Sequence, residues 1–185
     1  MFRMLKACVK SVLDQRQKFI EEECARDVHQ LLDGEILHMV DVGASGGILP
    51  RWRPCHADIA FVGLEPDSRS FEELLRSDEA KLFKEYKLIP SGAWDSGGKL
   101  EILFTRKPTC SSHYQPNAPF LSRFPEAERF DVVAAGKVDC DVLDRLLADQ
   151  GTRVDFIKLD LEGGELSVLG GARQHRRPGC AHHLA

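Results

Sequence analysis

The chain has 185 residues, with 25 Lys plus Arg against 29 Asp plus Glu, a net charge of −4, and 43% hydrophobic residues. These are the proportions of a soluble globular domain, and a chain of this length buries roughly 70% of its unfolded surface without needing a disulfide or metal staple. The acidic balance argues against a nucleic-acid partner, because phosphate backbones select for a basic excess. No apolar run approaches the roughly 20 residues that span a bilayer, so membrane insertion is not expected. The opening MFRMLKACVK has no long apolar core and no small-residue cleavage site. Cys8, Cys24, Cys55, Cys110, Cys140 and Cys180 form no CxxC pair, which reads as reduced structural thiols in a cytoplasmic protein.

Residues 9–32 read as a helix, with Val9, Val12, Leu13, Phe19, Ile20, Val28, Leu31 and Leu32 at three- and four-residue steps and Gly34 as the stop. The expected role is packing against the core, with a dimer or partner helix as the other reading. At Ile36 the period changes. ILHMVDVG is a short β-branched run ending in glycine, IAFVGLE is a second such run, and YKLIPSGAW a third. Between the second and third runs, Ser70 with Glu73 suggests a capping box for a helix. DSGGK is turn chemistry, and LEILFT after it alternates like a hairpin strand. Residues 106–131 hold several prolines and little periodicity, as a long functional or mobile loop does. DVLDRLLAD reads as a helix, VDFIKLDLE as a buried strand and GGELSVLGG as a helix start. The alternation predicts an α/β fold with a mostly parallel sheet. The expected division is an N-terminal helical segment over 1–35, a core over 36–172 and an irregular tail over 173–185.

In open α/β sheets ligands bind beyond the carboxyl ends of the strands. Asp41-Val42-Gly43-Ala44-Ser45-Gly46-Gly47 would let a ligand approach the backbone closely, or would serve only strand-to-helix packing. It is a poor dinucleotide fingerprint, since Ser45 and Ile48 stand where the second and third glycines belong. Asp41 suits a ligand carrying a positive charge or an amine. Glu65, ending the second strand, can accept both hydroxyls of a ribose, or can be a solvated acid at a helix N-terminus. Lys158, Asp160 and Glu162 alternate with apolar residues, which predicts one shared face. Three charges there need pairing or a ligand, and a structural Lys–Asp pair is the alternative.

HMVDVGASGGILPRWRP, FVGLEPD, IPSGAWDSGGKLEILFTRKPTCSSHYQPN, VLDRLLA and VDFIKLDLEGGELSVLGGA together resemble the FkbM family of class I S-adenosylmethionine-dependent methyltransferases, over roughly residues 36–172. The resemblance implies a Rossmann-like fold. S-adenosyl-L-methionine would lie over Gly43, Ala44, Ser45 and Gly47, with Asp41 near its methionine end. Glu65, with Asp67 beside it, would hold the ribose, and Ala93 and Trp94 would lie near the adenine. The implied reaction is O-methylation of a sugar, glycan or secondary-metabolite hydroxyl. Such a transfer needs alignment and a base. Asp160 is the first candidate, with Lys158 or Glu162 orienting it, no metal as the leading reading, and a divalent ion at Asp160 and Glu162 as the alternative. Ser111, Ser112 and Asn117 would line the acceptor pocket. His113 would line the same pocket; it is also a second base candidate, against which stands that similar sequences usually carry apolar residues there. Cys110 shows no sign of being a nucleophile, and His175, His182 and His183 near Cys180 have loose spacing for a metal. Gly43→Val is expected to weaken cofactor binding with little change in fold.

The resemblance also implies further strands after VDFIKLDLE, whereas RQHRRPGCAHHLA lacks apolar periodicity. The expectation is an incomplete or frame-shifted chain in which the strand bearing Asp160 is an exposed edge, prone to self-association. Rival function classes are an inactive or binding-only methyltransferase fragment and a nicotinamide-dependent oxidoreductase.

Overall fold

A computed structural model describes residues 2–148, 153–173 and 181–184, and the side chains within them except at 2–9, 11, 13 and 181–184. At its centre is a parallel sheet of β1 (Leu37–Val42), β2 (Ile59–Leu64), β3 (Glu85–Ile89), β7 (Phe156–Leu159) and β8 (Ala181–Leu184), in the order β3-β2-β1-β7-β8. β1 and β2 contain almost no exposed position, as expected of parallel strands covered on both faces. Their period of two sorts the core into two layers. Met39, Ile59 and Phe61 meet Ile48, Cys55 and Phe83 on one face. Val40, Val42, Leu64, Ile157 and Leu159 meet Leu143, Leu147, Val168 and Ala172 on the other. Phe61, Phe83 and Tyr86 form an aromatic layer, with centroids 5.0–5.4 Å apart. The chain runs from β1 outward to β3 and then crosses to β7, so strand order reverses between β1 and β7.

A second sheet has the order β4-β6-β5, from β4 (Gly92–Ala93), β5 (Gly98–Thr105) and β6 (Val132–Asp141). β5 alternates as expected, but its antiparallel partner is β6, across the long loop, and the DSGGK turn joins β4 and β5 without pairing them. The loop carries a short helix, α3 (Ala118–Leu121). α2 (Ser68–Arg76) is capped by Asp67, which accepts from the Arg69 N–H at 3.0 Å, and not by Ser70, which lies buried inside the helix. α4 (Leu143–Leu146) and α5 (Glu165–Gly171) supply the buried Leu143 and Val168.

Two expectations fail. α1 (Phe2–Leu32) forms, but it is not laid against the core. Val12, Phe19, Ile20 and Leu31 are at least half exposed, and among the described α1 side chains Val28 reaches the buried cluster. A His29–Asp58 contact of 2.8 Å holds α1 to a 3-10 helix over Pro50–Asp58. The tail is not wholly irregular either. β8 pairs in parallel with all four residues of β7, so β7 is an inner strand and its backbone groups are satisfied on both sides. Cys180 and His175 lie outside the described residues, as do the side chains of His182 and His183. Among the described residues no helix is long and apolar enough to cross a membrane.

Leu159 is fully buried at the sheet centre, whereas Leu166 is 79% exposed. Leu159→Ala is expected to cost about 2–5 kcal/mol in urea unfolding, and Leu166→Ala less than about 0.5 kcal/mol. Equal midpoint shifts for the two variants would contradict the core assignment.

Candidate active site

The site forms where the ends of β1 and β7 meet. Gly43 has φ +79°, and a Cβ there would lie 2.2 Å from the Asp160 carbonyl oxygen. Only glycine allows this approach. The Asp160 N–H donates to the Val42 carbonyl at 3.1 Å, so the two strand exits are locked together. The Gly43 and Ala44 N–H groups both donate to the Leu64 carbonyl, at 3.0 and 3.1 Å. Gly47, at φ +77°, makes room for the Glu79 carboxylate, which also accepts from the Ile48 N–H at 3.3 Å. The Gly43→Val expectation is therefore corrected. A valine would collide with backbone and disturb the fold as well as any ligand.

Lys158 sits beneath this turn. Its Nζ donates to Asp41 Oδ1 at 2.9 Å and to the Gly43 carbonyl at 3.2 Å, and lies 3.6 Å from Asp160 Oδ2. Asp41 is fully buried and Lys158 is 2% exposed. Burial pushes the Asp41 carboxyl up to about 6, against the pull of Lys158. Asp41 Oδ2 has no hydrogen-bond partner. Asp160 lies at the cavity rim with its side chain 44% exposed. Glu162 does not share this face. Positive φ at Glu162 (51°) and Gly163 (109°) turns the chain after the strand and breaks the alternation, and the Glu162 side chain is exposed.

Glu65 ends β2 and is 5% exposed. One carboxylate oxygen accepts from the Asp67 N–H at 2.8 Å. Burial, the largest influence, pushes its carboxyl up to about 7, against the Asp67 N–H and, more weakly, the Ser45 N–H. Asp67 borders the cavity, but its carboxylate is engaged by Arg69 Nε at 3.0 and 3.1 Å as well as by the α2 cap. The Ser45 hydroxyl pairs with that of Ser70 at 2.8 Å. Ala93 is buried, and Trp94 follows it at the cavity wall. α5 closes on Trp94 because Gly164 and Gly171 lack side chains. A Cβ would come within 2.8 Å of the ring at Gly164 and 2.5 Å of the Trp94 carbonyl at Gly171.

Leu100, Ile102 and Phe104 of β5 form the opposite, apolar wall. These walls and the glycine turn border one cleft that opens to solvent. The alternation of LEILFT marked these three as one face, but nothing local showed that a second sheet would bring them here. Ser111 and Ser112 line the cavity, yet their hydroxyls hold the loop. Ser111 Oγ accepts from the Thr105 N–H at 3.1 Å, while Ser112 Oγ donates to the Glu162 carbonyl and accepts from the Tyr114 N–H, both at 3.0 Å. Asn117 does not border this cavity. It caps α3, accepting from the Phe120 N–H at 3.2 Å. His113 does border it. Its Nδ1 lies 2.9 Å from the Glu101 carbonyl, which can only accept, so Nδ1 carries the proton and a neutral ring leaves Nε2 as an acceptor. The ring leans on Trp94, with centroids 5.3 Å apart. Among the described residues no group of His, Cys, Asp and Glu could hold a metal ion.

The sequence model of the methyltransferase FkbM domain matches residues 49–178. No curated protein and no solved structure matches the chain. The matched region contains β2, the second sheet, β7 and α5, and starts just after the glycine turn.

Glu65 and Asp41 hold protons more tightly when folded than at their ordinary values of 4.5 and 3.8. Stability contributed by that tighter binding is lost as pH rises through about 6 to 7. The melting temperature of the ligand-free protein is thus expected to rise as pH is lowered from about 8 to about 5, with a smaller rise in Glu65→Gln. An equal or opposite slope in the variant would refute the Glu65 environment described above.

Proposed function

Since this chain belongs to the FkbM methyltransferase family, we propose that it is an S-adenosylmethionine-dependent O-methyltransferase acting on a hydroxyl of a sugar, glycan or secondary metabolite. The observation that carries the reading is Glu65. A buried carboxylate at the end of β2 shares one cavity with the glycine turn, Ala93 and Trp94. An ionised carboxylate has about four acceptor positions, so with the Asp67 N–H on one of them it can still take both ribose hydroxyls. Gly43, Ser45, Ala93 and Trp94 border the space a nucleoside and its methionine arm would fill. A nicotinamide cofactor fits less well. The Gly43 and Ala44 N–H groups are already spent on Leu64, and an acid lies beneath the turn where a pyrophosphate would need donors.

The bound cofactor supplies a methyl group on a sulfonium. The protein's part is to align the acceptor, exclude water and accept a proton. Leu100, Ile102 and Phe104 supply the dry wall. Asp160, at the rim and near Lys158 Nζ, is the proposed proton acceptor from the acceptor hydroxyl. A second reading assigns that step to His113, favoured by its place at the cavity and by the Glu101 contact, which in a neutral ring makes Nε2 the acceptor. A cytoplasmic setting is supported by the free thiols of Cys55, Cys110 and Cys140.

Calorimetric titration with S-adenosylmethionine tests the cofactor. Glu65→Ala is expected to weaken binding by roughly 1–3 kcal/mol, about five- to 150-fold. Unaltered affinity would remove the assignment, and binding without any methyl transfer across a panel of hydroxyl acceptors would favour a binding-only fragment. Asp160→Asn is expected to lower turnover about 100-fold or more while leaving cofactor affinity intact. If Asp160→Asn retains full turnover and His113→Gln loses it, the proton acceptor is His113.

A further inference from the structure

The strongest unexplained feature lies outside the matched domain. α1 is 31 residues long, about 46 Å, and over residues 14–20 every side chain is exposed. Among the described side chains of α1 the half-buried ones are Glu21, Ala25, Val28 and Leu32, the spacing of one helical face. At 3.6 residues per turn Val12 and Phe19 lie about 160° and 180° around the helix from Val28. Their side chains, with Ile20 and Leu31, are 50–84% exposed. An apolar stripe therefore runs from the flank of the helix, where Ile20 and Leu31 lie about 80° and 60° from Val28, to the face turned away at Val12 and Phe19. Single helices in water draw most of their stability from packing an apolar face.

The charges run against this helix as well. Arg3, Lys6, Lys10 and Arg16 outnumber Asp14 in the first half, and Glu21, Glu22, Glu23 and Asp27 outnumber Lys18 and Arg26 in the second. The first turn holds no acid, and the last turn holds only His29 as a base. That is the reverse of what the macrodipole favours. The order becomes favourable when a second helix of the same sequence lies alongside in the opposite direction, basic half on acidic half. Within the stripe, Arg16 lies on one side of Phe19–Ile20 and Glu23 on the other. A two-fold axis between Phe19 and Ile20 would set Arg16 of each copy against Glu23 of the other. A parallel pair would set arginine on arginine and glutamate on glutamate.

We propose that α1 is the homodimerisation element of this protein, pairing antiparallel with α1 of a second copy, with Phe19 of each helix on Ile20 of the other and Arg16 on Glu23. The proposal is independent of the methyl-transfer reading. Sedimentation equilibrium of the full chain at tens of micromolar tests it. The wild type is expected to be dimeric, and Phe19→Ser with Ile20→Ser monomeric with an unchanged far-sheet melt. Arg16→Glu or Glu23→Arg alone is expected to raise the dimer Kd at least about tenfold by opposing like charges. The double variant Arg16→Glu/Glu23→Arg, or an equal mixture of the two single variants, is expected to restore dimers. A monomeric wild type would overturn the proposal, as would single charge variants that dimerise like the wild type. So would a monomer that instead co-sediments with phosphatidylserine vesicles, since that would make the stripe a lipid-binding face.

Discussion

Burying an ammonium ion at the junction of two strands is costly unless it is fully engaged. Lys158 meets that condition with Asp41 on the neighbouring strand, the Gly43 carbonyl at the start of the turn, and Asp160 at the rim. The rest of the site follows from this arrangement. The cation needs β1 and β7 to be neighbours. Their adjacency creates the strand-order reversal that opens the cleft, and the Gly43 contact with the Asp160 carbonyl sets how closely the two exits meet. Asp41 retains one unpaired oxygen and a raised carboxyl, so the junction carries stress that a better packed apolar pair would not. Such stress beneath a ligand-facing turn is characteristic of a site rather than a scaffold.

The second sheet closes one side of that cleft. β5 brings an apolar wall, and Arg69 links it to α2 by donating to the Thr105 carbonyl at 3.3 Å. Ser112 bridges the long loop to the Glu162 turn, and α5 presses on Trp94 through two glycines. Glu65 is buried at the edge of this cleft, and that burial is the largest influence raising its carboxyl. Ionising this buried carboxylate costs the ligand-free protein stability as pH rises through about 7.

Much of the centre was legible because β1, β2 and β7 are short runs covered on both faces, and because Asp41, Gly43, Glu65, Lys158 and Asp160 mark their ends. β6 was not legible. Most of VVAAGKVDCD is exposed, so it shows no apolar alternation, and its partner lies across a loop. The helix α1 was legible but its surroundings were not, since an apolar stripe reads the same whether it meets the core or a second molecule. Glu162 was misread because a period of two was extended through a turn that Gly163 and Gly164 already signalled. Asn117 and Ser70 show that a polar side chain near a site can be consumed locally, one by a helix cap and the other by a hydroxyl pair.

The central claim is that the buried Lys158 cation holds together both the sheet and the ligand-facing turn. The direct measurement is urea unfolding and S-adenosylhomocysteine titration of Lys158→Met. Removing the cation leaves Asp41 buried without its partner, which is expected to cost about 3–5 kcal/mol. Ligand affinity should fall with it, because the Gly43 carbonyl and Asp160 lose their common anchor. A Lys158→Met protein with wild-type stability and wild-type affinity would contradict the account.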